Sequence, residues 1–525
     1  MKKLTYHIDI DLLVFLLLFT NVKLIVKVIA IAFIYARRFN FKFGFTLKNS
    51  RLPLFYPAII FIAVINWVSG DIAISNYNPV FITGIFFWGM CVLAAHQVKL
   101  AVERNTEDVL FKTITAFFII NISASFIQLA SIIVETGSLN PFRYQGLFQK
   151  YFISTGDFIK GISFDTSTTN AVISAFGVIY FLTKEKPVML LLCMATLLLT
   201  ASNLTNVVLL GIFMMMIFSR NRNRKSLIVV CSVMLLIFVN RVSPQNNNYV
   251  RETITAFSPG RTGLSIKWVK WKSDPTDVKP VAEKIKEQIA EEHIDGIRKF
   301  FSEMQSPNGA ASAVLTRPEI PPPNIHSTTF QSRKDTTAFQ HSLIDFISAN
   351  SAALKLALEP FPLSHPGKVI AFQQTIHFIK EHPFRLLTGT GMGRFSSKLA
   401  FRCTALNIAG GYPAPLRYIN HDFLSNHLDL YLYFYTKKRG EHSITNNPGS
   451  VYDQLLAEYG ITGLMVFIIF YIGFFFKKWR NLSYGIPMLI ALSALCMADY
   501  WFEQLSVIPL FEFLLFMDLK QKSSA

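Results

Sequence analysis

Glu458 is the residue whose position in the sequence most directly suggests chemistry. It lies one helical turn after Gln454, at the point where a long polar stretch runs into an apolar segment. A carboxylate at the mouth of an apolar segment is either paired with an arginine or used on a substrate, and the sequence leaves both interpretations open. Glu458 is therefore a candidate general base, and Tyr452, earlier on the same predicted helix, is a candidate substrate contact.

Five cations outside the apolar segments could bind an anionic substrate: Arg143, Arg241, Arg251, Lys368 and Arg394. Arginine holds a phosphate through two parallel hydrogen bonds, so a phosphate or diphosphate is the anion that these residues suit. An isolated arginine more commonly meets a lipid headgroup or a loop carboxylate. The functional interpretation therefore requires the cations to converge in space, with Arg143 as the one that also assists catalysis.

The histidines and glycines point less clearly to a functional site. No pair of histidines has the spacing of a zinc-binding helix, so each is expected at the surface, and no metal or cofactor is predicted. His421 and His427 are kept as candidates for acid–base work because imidazole titrates near neutral pH. The alternating glycines of Gly389–Gly393 predict a structural turn rather than a nucleotide-binding loop. The small polar segment Gly161–Asn170 leads into a helix, whose first amides attract anions.

Composition defines the class of protein that must position these residues. The chain has 525 residues, of which 51% are hydrophobic and only 16% are charged, and apolar runs of membrane-spanning length recur along it. These runs lack the alternation of barrel strands, so they are predicted to be helices. In a membrane protein, basic residues set the orientation of the chain in the bilayer and contact anionic headgroups. The formal charge of +18 is therefore explained without nucleic acid, which is not an expected partner.

Twelve membrane spans are predicted. The first two form a hairpin at Asn21, which is expected to bring Lys23 and Lys27 to an interface where they can snorkel. The predicted spans cover residues 9–20, 23–36, 52–69, 78–98, 109–134, 168–183, 187–200, 203–219, 225–240, 451–476, 484–498 and 501–517.

Basic residues set the predicted orientation. Short loops rich in Lys and Arg stay in the cytoplasm, and with twelve spans every such loop falls on that side together with both termini. Residues 135–167 and 241–450 then lie outside. The chain thus divides into a first membrane block (1–240), a large periplasmic loop (241–450) and a second membrane block (451–525).

The large loop is expected to be mostly helical. The sequence predicts an amphipathic helix at Val281–Met304, a proline-rich strap at Ser306–Thr328, and two further helices near Phe339–Leu358 and Lys368–Lys380. A large polar loop held at a membrane face suggests an enzyme that acts on a lipid-linked substrate, because a simple channel would have little use for it.

Four segments, in their order along the chain, resemble the O-antigen polymerase and ligase family of bacterial envelope biogenesis. They are Phe142–Gly146 with Ser167–Ala171, Leu197–Asn203, Pro383–Gly391 and Tyr452–Gly463. The predicted topology agrees with this family, and residues 271–365 stand out as an insertion. The chain departs from the family at two places: it has Gly449-Ser450 where the family often has His-Asn, and Ser202-Asn203 where many members have Ser-Arg.

The resemblance implies a fold and an activity. It implies a metal-independent, inverting glycosyltransferase of the C-type membrane fold in the bacterial inner membrane, acting on undecaprenyl-diphosphate-linked oligosaccharide at the periplasmic face. The expected function is polymerisation of a surface polysaccharide (O-antigen, capsule or exopolysaccharide), with a chain-length regulator and a flippase as partner proteins. The ligase branch relies on the histidine that is missing here, so the polymerase is favoured over a ligase that moves finished glycan to a lipid or protein acceptor.

In the expected mechanism, an acceptor hydroxyl attacks the anomeric carbon and a diphosphate leaves. Arg143 and one or more of Arg241, Arg251 and Lys368 offset the charge on that diphosphate, and Glu458 or His421 takes the proton. The list of predicted substrate contacts is completed by Arg394 and Tyr452.

A flippase or exporter is the alternative from another class. Such a protein should have charged residues deep in several spans, or helices broken at the midplane. Ionisable residues in this sequence sit mostly at the ends of the apolar segments, which argues against transport.

Overall fold

The computed structural model describes residues 8–71, 76–143, 155–218, 222–243, 367–403, 447–477 and 479–521, with single residues between 412 and 430. The predictions made for Arg251 and His421, and for the loop segments Val281–Met304, Ser306–Thr328 and Phe339–Leu358, lie outside these residues. Within the described ranges all regular structure is helical and no strand is present, which confirms the predicted all-α class for this part of the chain.

Sixteen helices are distinguished here among the described residues, some of them short. They are α1 (Ile10–Thr20), α2 (Leu24–Arg37), α3 (Phe55–Asn66), α4 (Asn78–Arg104), α5 (Glu107–Thr136), α6 (Ser167–Thr183), α7 (Pro187–Leu199), α8 (Asn203–Ile217), α9 (Arg222–Ile237), α10 (Gly367–Glu381), α11 (Arg385–Thr388), α12 (Lys398–Arg402), α13 (Val451–Val466), α14 (Gly485–Leu495), α15 (Trp501–Gln504) and α16 (Ile508–Gln521). Wide turns of π geometry extend α3 to Asp71 and α9 to Val242, and a similar turn carries α13 on to Phe476.

Four helices are long and apolar enough to cross a membrane by themselves. They are α4, α5, α9 with its extension and α13 with its extension, and they contain between 21 and 30 residues. At 1.5 Å per residue, about 20 residues cross the hydrocarbon core of a bilayer. Six shorter apolar helices accompany them in the described residues. This set of helices indicates a membrane protein.

Local sequence explains where several helices begin and end. The side chain of Asp9 accepts a hydrogen bond from the Leu12 amide at the start of α1, and Thr106 and Thr166 cap α5 and α6 in the same way. Helix α5 ends at Gly137, which has a φ of 65° in the left-handed region that glycine adopts without strain. Such caps satisfy backbone groups that hydrocarbon could not.

The predicted hairpin at Asn21 is present, but one of its lysines is placed differently from the expectation. Helices α1 and α2 pack against each other on either side of Asn21. Lys23 is exposed, whereas Lys27 is only 2% exposed and does not snorkel. The Lys27 Nζ donates to Phe19 O at 2.7 Å and to Ser506 Oγ at 2.9 Å, so protein groups replace the water that an interface would supply.

A helix lies in each of the twelve predicted segments, but the last segment is broken in two. Helix α15 ends at Gln504, Leu505 has a φ of 67°, and α16 begins at Ile508. Pro509 in the first turn of α16 favours a helix start because its missing N–H would have no partner there. The prediction of one continuous helix over 501–517 is therefore wrong.

Ionisable side chains also lie deeper in the apolar segments than the sequence suggested. Glu503 is 4% exposed, and Glu512, in the middle of the apolar part of α16, is completely buried. The Tyr56 hydroxyl donates to Glu512 Oε1 at 2.5 Å. Partners from distant helices explain why these carboxyl groups can be buried at all.

Helix α6 lies at the centre of the bundle. Nearly all its residues are buried, and it packs against α7, α8, α9, α14 and α16. Its first turn lies at the end of the bundle that holds the short helical turns Pro141–Arg143, Thr155–Phe158 and Gly161–Ser163 and, through Gln504, the segment 389–403. This arrangement positions the candidate site.

Candidate functional site

The glycine turn Gly389–Gly393 wraps around the side chain of Glu458. Glu458 Oε2 accepts the Gly393 N–H at 2.7 Å, and Oε1 accepts the Phe395 N–H at 3.0 Å. The alternate glycines of the turn have φ values of 74°, 98° and 73°, which align their amides as an L side chain would not allow. The prediction of a structural turn is confirmed, and this turn binds a carboxylate of the protein itself.

A kink in α13 receives the same turn. Gly460 has φ 68° and ψ −170°, so the helix is interrupted just after Glu458. The Ala457 and Glu458 carbonyl groups accept the amides of Thr390 at 2.9 Å and Gly391 at 3.0 Å. A Cβ on Gly460 would overlap the Leu387 backbone. Residues 389–403, called the loop segment below, are therefore docked on α13 through direct backbone contacts, at a distance that only glycine permits.

Glu503 is a second buried carboxylate that holds the loop segment, and sequence reasoning missed it. Its Oε2 accepts the Leu399 N–H at 3.0 Å in the first turn of α12, and its Oε1 accepts from Gln454 Nε2 at 2.8 Å. An acid at a helix start satisfies an amide that has no partner within the helix. The signal in the sequence was a carboxylate inside an apolar run, which is rarely present without a purpose.

Lys368 fixes α10 to the second membrane block. Its Nζ donates to Gly449 O at 2.6 Å and to Ala498 O at 2.7 Å. Burial lowers the pKa of this amine to about 7, and the negative charges of Asp499 and Asp453 offset only part of that effect. Lys368, which the sequence predicted to bind phosphate, thus binds two carbonyl groups of the protein itself.

The free energy of unfolding should rise with pH between about 7 and 10.5 because of Lys368. In this window the unfolded amine holds a proton that the folded amine has released, so each pH unit adds at most about 1.4 kcal/mol. Below the folded pKa both states are protonated, and the whole cost of burying the charge is present. We expect the thermal midpoint of the protein in detergent to increase with pH more steeply in the wild type than in Lys368→Met. Parallel pH profiles for the two proteins would contradict this assignment.

A chain of polar side chains links the loop segment to the start of α6. Lys398 Nζ donates to Gln504 Oε1 at 2.7 Å, and Gln504 Nε2 donates to Asp165 Oδ2 at 2.5 Å. In the first turn of α6, the Thr169 hydroxyl donates to the same Asp165 Oδ2 at 3.0 Å, and the Ser167 hydroxyl donates to Asp157 Oδ1 at 3.2 Å. Burial lowers the pKa of Lys398, and the charge of Asp165 works against that shift. We refer to Asp157, Asp165, Lys398 and Gln504, together with Glu503 described above, as the polar belt.

Arg143 and Arg241 lie on segments that contact each other beside the polar belt. Phe142 packs edge to face on Phe238, one turn before Arg241, with ring centroids 5.4 Å apart. The hydroxyl of Thr155, two residues before Asp157 of the polar belt, donates to Pro141 O at 2.7 Å. Pro141 begins the short turn that ends at Arg143. Both arginine side chains are exposed. The structure therefore brings these two predicted cations to the end of the bundle that carries Glu458 and Lys368.

Arg394 and Tyr452 are engaged in packing within the protein. The Arg394 guanidinium carbon lies 5.4 Å from the ring centroid of Tyr77, and its Nη2 donates to Asn420 Oδ1 at 3.4 Å. The Tyr452 hydroxyl donates to Ser493 O on α14 at 2.7 Å. Arg394 is only 8% exposed. Substrate binding by Arg394 and by Tyr452 stays a prediction.

His427 is buried rather than at the surface, which corrects the expectation for this histidine. Its Nδ1 lies 2.7 Å from Gln374 Oε1, and it contacts the rings of Phe395, Phe401 and Phe423. Burial lowers its pKa to about 3, so the imidazole is neutral at physiological pH. The sequence pattern could not reveal this aromatic pocket because its members are separated along the chain.

Within the described residues, no group of three His, Cys, Asp or Glu side chains is placed to hold a metal ion. No family model, no curated protein and no solved structure matches this chain. The fold and the site together define a helical membrane protein in which buried carboxylates fasten a loop segment beside two exposed arginines.

Proposed function

We propose that the protein polymerises a surface polysaccharide by glycosyl transfer from an undecaprenyl-diphosphate-linked oligosaccharide. The observation that carries the proposal is the position of the exposed Arg143 and Arg241, on contacting segments next to the polar belt at one end of the membrane helices. A diphosphate suits such a pair of guanidinium groups, while its polyprenyl tail suits the apolar faces of the helices. This end also holds the docked loop segment, which supplies the wall that an acceptor glycan needs.

The distribution of basic residues supports a periplasmic position for this end. Arg37 ends α2, Arg104 ends α4, and Lys520 lies in the last turn of α16, all at the opposite end from the polar belt. The positive-inside rule assigns that basic end to the cytoplasm. Twelve crossings, cytoplasmic termini, a periplasmic loop and a place in a bacterial inner membrane belong to this proposal.

In the proposed reaction, an acceptor hydroxyl oxygen bonds to the anomeric carbon while the bond from that carbon to the diphosphate oxygen breaks. The electron pair leaves with the diphosphate, whose charge is offset by Arg143 and Arg241, and attack from the opposite face inverts the configuration. Both oxygens of Glu458 already bind amides, so we assign Glu458 a positioning role. The proton then passes to His421 or to Asp165, which is partly exposed in the polar belt.

The ligase is the alternative within the same class. Gly449 stands where the resemblance leads one to expect a histidine, and its carbonyl is bound by Lys368 at 2.6 Å. This position therefore serves to join α10 to the second membrane block, which favours the polymerase. Polymer ladders formed in cells that lack the lipid A acceptor would support the polymerase, and their absence would support the ligase.

Arg143→Ala should shorten or abolish the polymer in a complemented deletion strain. Loss of one charge-assisted phosphate contact is worth about 1.5–3 kcal/mol, so we expect about a 10- to 100-fold lower rate of polymerisation. The measurement is the ladder of chain lengths at equal protein level. Arg222→Ala, an exposed arginine at the opposite end, is the matched control and should leave the ladder unchanged. An unaltered ladder for Arg143→Ala would remove this residue from the mechanism.

Transport of the lipid-linked glycan is a second candidate, favoured by two observations. Lys27, Glu503 and Glu512 are buried inside apolar segments, and the helices are broken at Gly460 and Leu505. Both features are expected of transporters. Purified protein in vesicles separates the candidates: a transporter moves labelled lipid-linked oligosaccharide across the bilayer, whereas a polymerase lengthens it on one side.

A further inference from the structure

A cavity of about 460 Å³ opens at the end of the bundle opposite to the polar belt. It is formed by the end of α2, the chain that follows it and the last turns of α4. Its lining consists of Arg38, Phe39, Asn40, Leu100, Glu103 and Arg104. None of these residues belongs to the site proposed for glycosyl transfer, so the cavity requires an explanation of its own.

Two arginines of the cavity each form an ion pair with a carboxylate. Arg104 Nη2 lies 2.8 Å from Asp9 Oδ2, and Arg38 Nη2 lies 2.8 Å from Asp11 Oδ2. The Asp9 side chain is only 3% exposed, whereas those of Arg38 and Arg104 are 36% and 26% exposed. The carboxylates therefore orient the guanidinium groups and leave part of each one accessible for an anionic ligand.

Positive charge exceeds negative charge around the cavity. Glu103, on its rim, is itself paired with Arg51 and Lys99. Lys520 Nζ donates to three carbonyl groups at the end of α4, which offsets the negative end of that helix. The basic side chains in this set of ion pairs and caps are Arg37, Arg38, Arg51, Lys99, Arg104 and Lys520, and the acidic ones are Asp9, Asp11 and Glu103.

The chain that follows α2 exposes apolar side chains. Phe39, which lines the cavity, is 80% exposed, and Phe41 and Leu47, further along the same segment, are 52% and 91% exposed. Exposed aromatic residues beside basic ones, at the ends of membrane helices, fit the boundary between headgroups and acyl chains. A small anion in water would use the arginines and leave these apolar side chains unexplained.

We propose that this cavity binds the phosphate of an anionic phospholipid, with Arg38 and Arg104 on the phosphate and Phe39 against the acyl chains. The ligand chemistry is a phosphate diester, and the exposed Phe39 in the lining assigns it to a lipid rather than to a soluble phosphate. The site ties α1, α2 and α4 to one leaflet, independently of any reaction at the polar belt.

Native mass spectrometry of the detergent-solubilised protein tests the proposal. The probes are phosphatidylglycerol, phosphatidylcholine and inorganic phosphate. We expect the wild type to retain phosphatidylglycerol in preference to phosphatidylcholine, and Arg104→Gln to retain it about 5- to 10-fold less well. Phe39→Ala leaves every ion pair in place and should also weaken retention several-fold, so the test does not depend on the fold tolerating Arg104→Gln.

Lys48→Gln, an exposed basic residue outside the cavity, is the matched control and should retain the lipid as the wild type does. Equal retention of phosphatidylcholine would overturn the assignment to an anionic lipid. Displacement of the lipid by inorganic phosphate would show a site for the free anion. Unchanged retention in both Arg104→Gln and Phe39→Ala would place the lipid elsewhere on the protein.

Discussion

Glu458→Ala should release the docked loop segment and abolish polymer formation. The change leaves the buried amides of Gly393 and Phe395 without acceptors, and each buried donor left unsatisfied costs about 1–3 kcal/mol. The expected loss of about 2–6 kcal/mol is a large part of the 5–15 kcal/mol that is typical of a whole domain. We expect a markedly lower thermal midpoint in detergent and faster proteolysis within residues 389–403.

Glu458→Gln separates a positioning role from that of a general base. The amide retains one acceptor oxygen but places an NH₂ group against an N–H donor, so a positioning role predicts an intermediate loss of stability with activity falling in parallel. A general base predicts full loss of polymer, out of proportion to the same intermediate loss of stability. Glu381→Ala, an exposed acid on α10, is the control and should change stability by less than about 0.5 kcal/mol. Wild-type stability in Glu458→Ala would contradict the observed hydrogen bonds.

The helices could be predicted because hydrocarbon leaves the backbone no other way to satisfy its polar groups. For this reason the length of each apolar run was enough to place a helix, whatever apolar residues the run contained. A helix was predicted near Lys368–Lys380, and the structure confirms it as α10 at Gly367–Glu381. The break between α15 and α16 was missed because an apolar run does not report a single left-handed residue such as Leu505.

The polar belt could not be predicted because its partners are distant in the sequence. The hydrogen bond from Gln504 to Asp165 joins residues 339 positions apart, and that from Lys398 to Gln504 joins residues 106 apart. Glu503 acts mainly on a backbone amide, and amides carry no signal in a sequence. Lys27 was misplaced for the same reason, since Phe19 O and Ser506 were not recognisable as its partners.

The structure also divides the predicted site residues into two groups. Arg143 and Arg241 are exposed on contacting segments, as a ligand requires. Glu458, Lys368 and Arg394 are instead committed to internal partners that hold the loop segment. Residue type alone could not separate these groups, because a cation that binds phosphate and a cation that binds carbonyl groups look alike in a sequence.

Gly460→Ala should lower the free energy of unfolding about as much as Glu458→Ala does. The cause is strain in the backbone rather than the loss of a side chain. The combination of φ 68° and ψ −170° is essentially restricted to glycine, and adopting it with a Cβ costs about 1–3 kcal/mol. The new Cβ would also overlap the carbonyl group of Leu387, so the docked turn has to move away. We expect a total loss of about 3 kcal/mol or more, and faster hydrogen exchange at the amides of Thr390 and Gly391.

Gly211→Ala is the matched control because Gly211 lies within α8 with open space where a Cβ would be. Alanine at such a position should raise helix stability by about 0.5–1 kcal/mol, so the two substitutions are expected to change the thermal midpoint in opposite directions. Hydrogen exchange adds a local readout, since the amides of Thr390 and Gly391 donate to carbonyls that only the kink in α13 leaves open. Unchanged exchange at those two amides in Gly460→Ala would show that the loop segment does not depend on the kink, and the positioning role of Glu458 would then need another support.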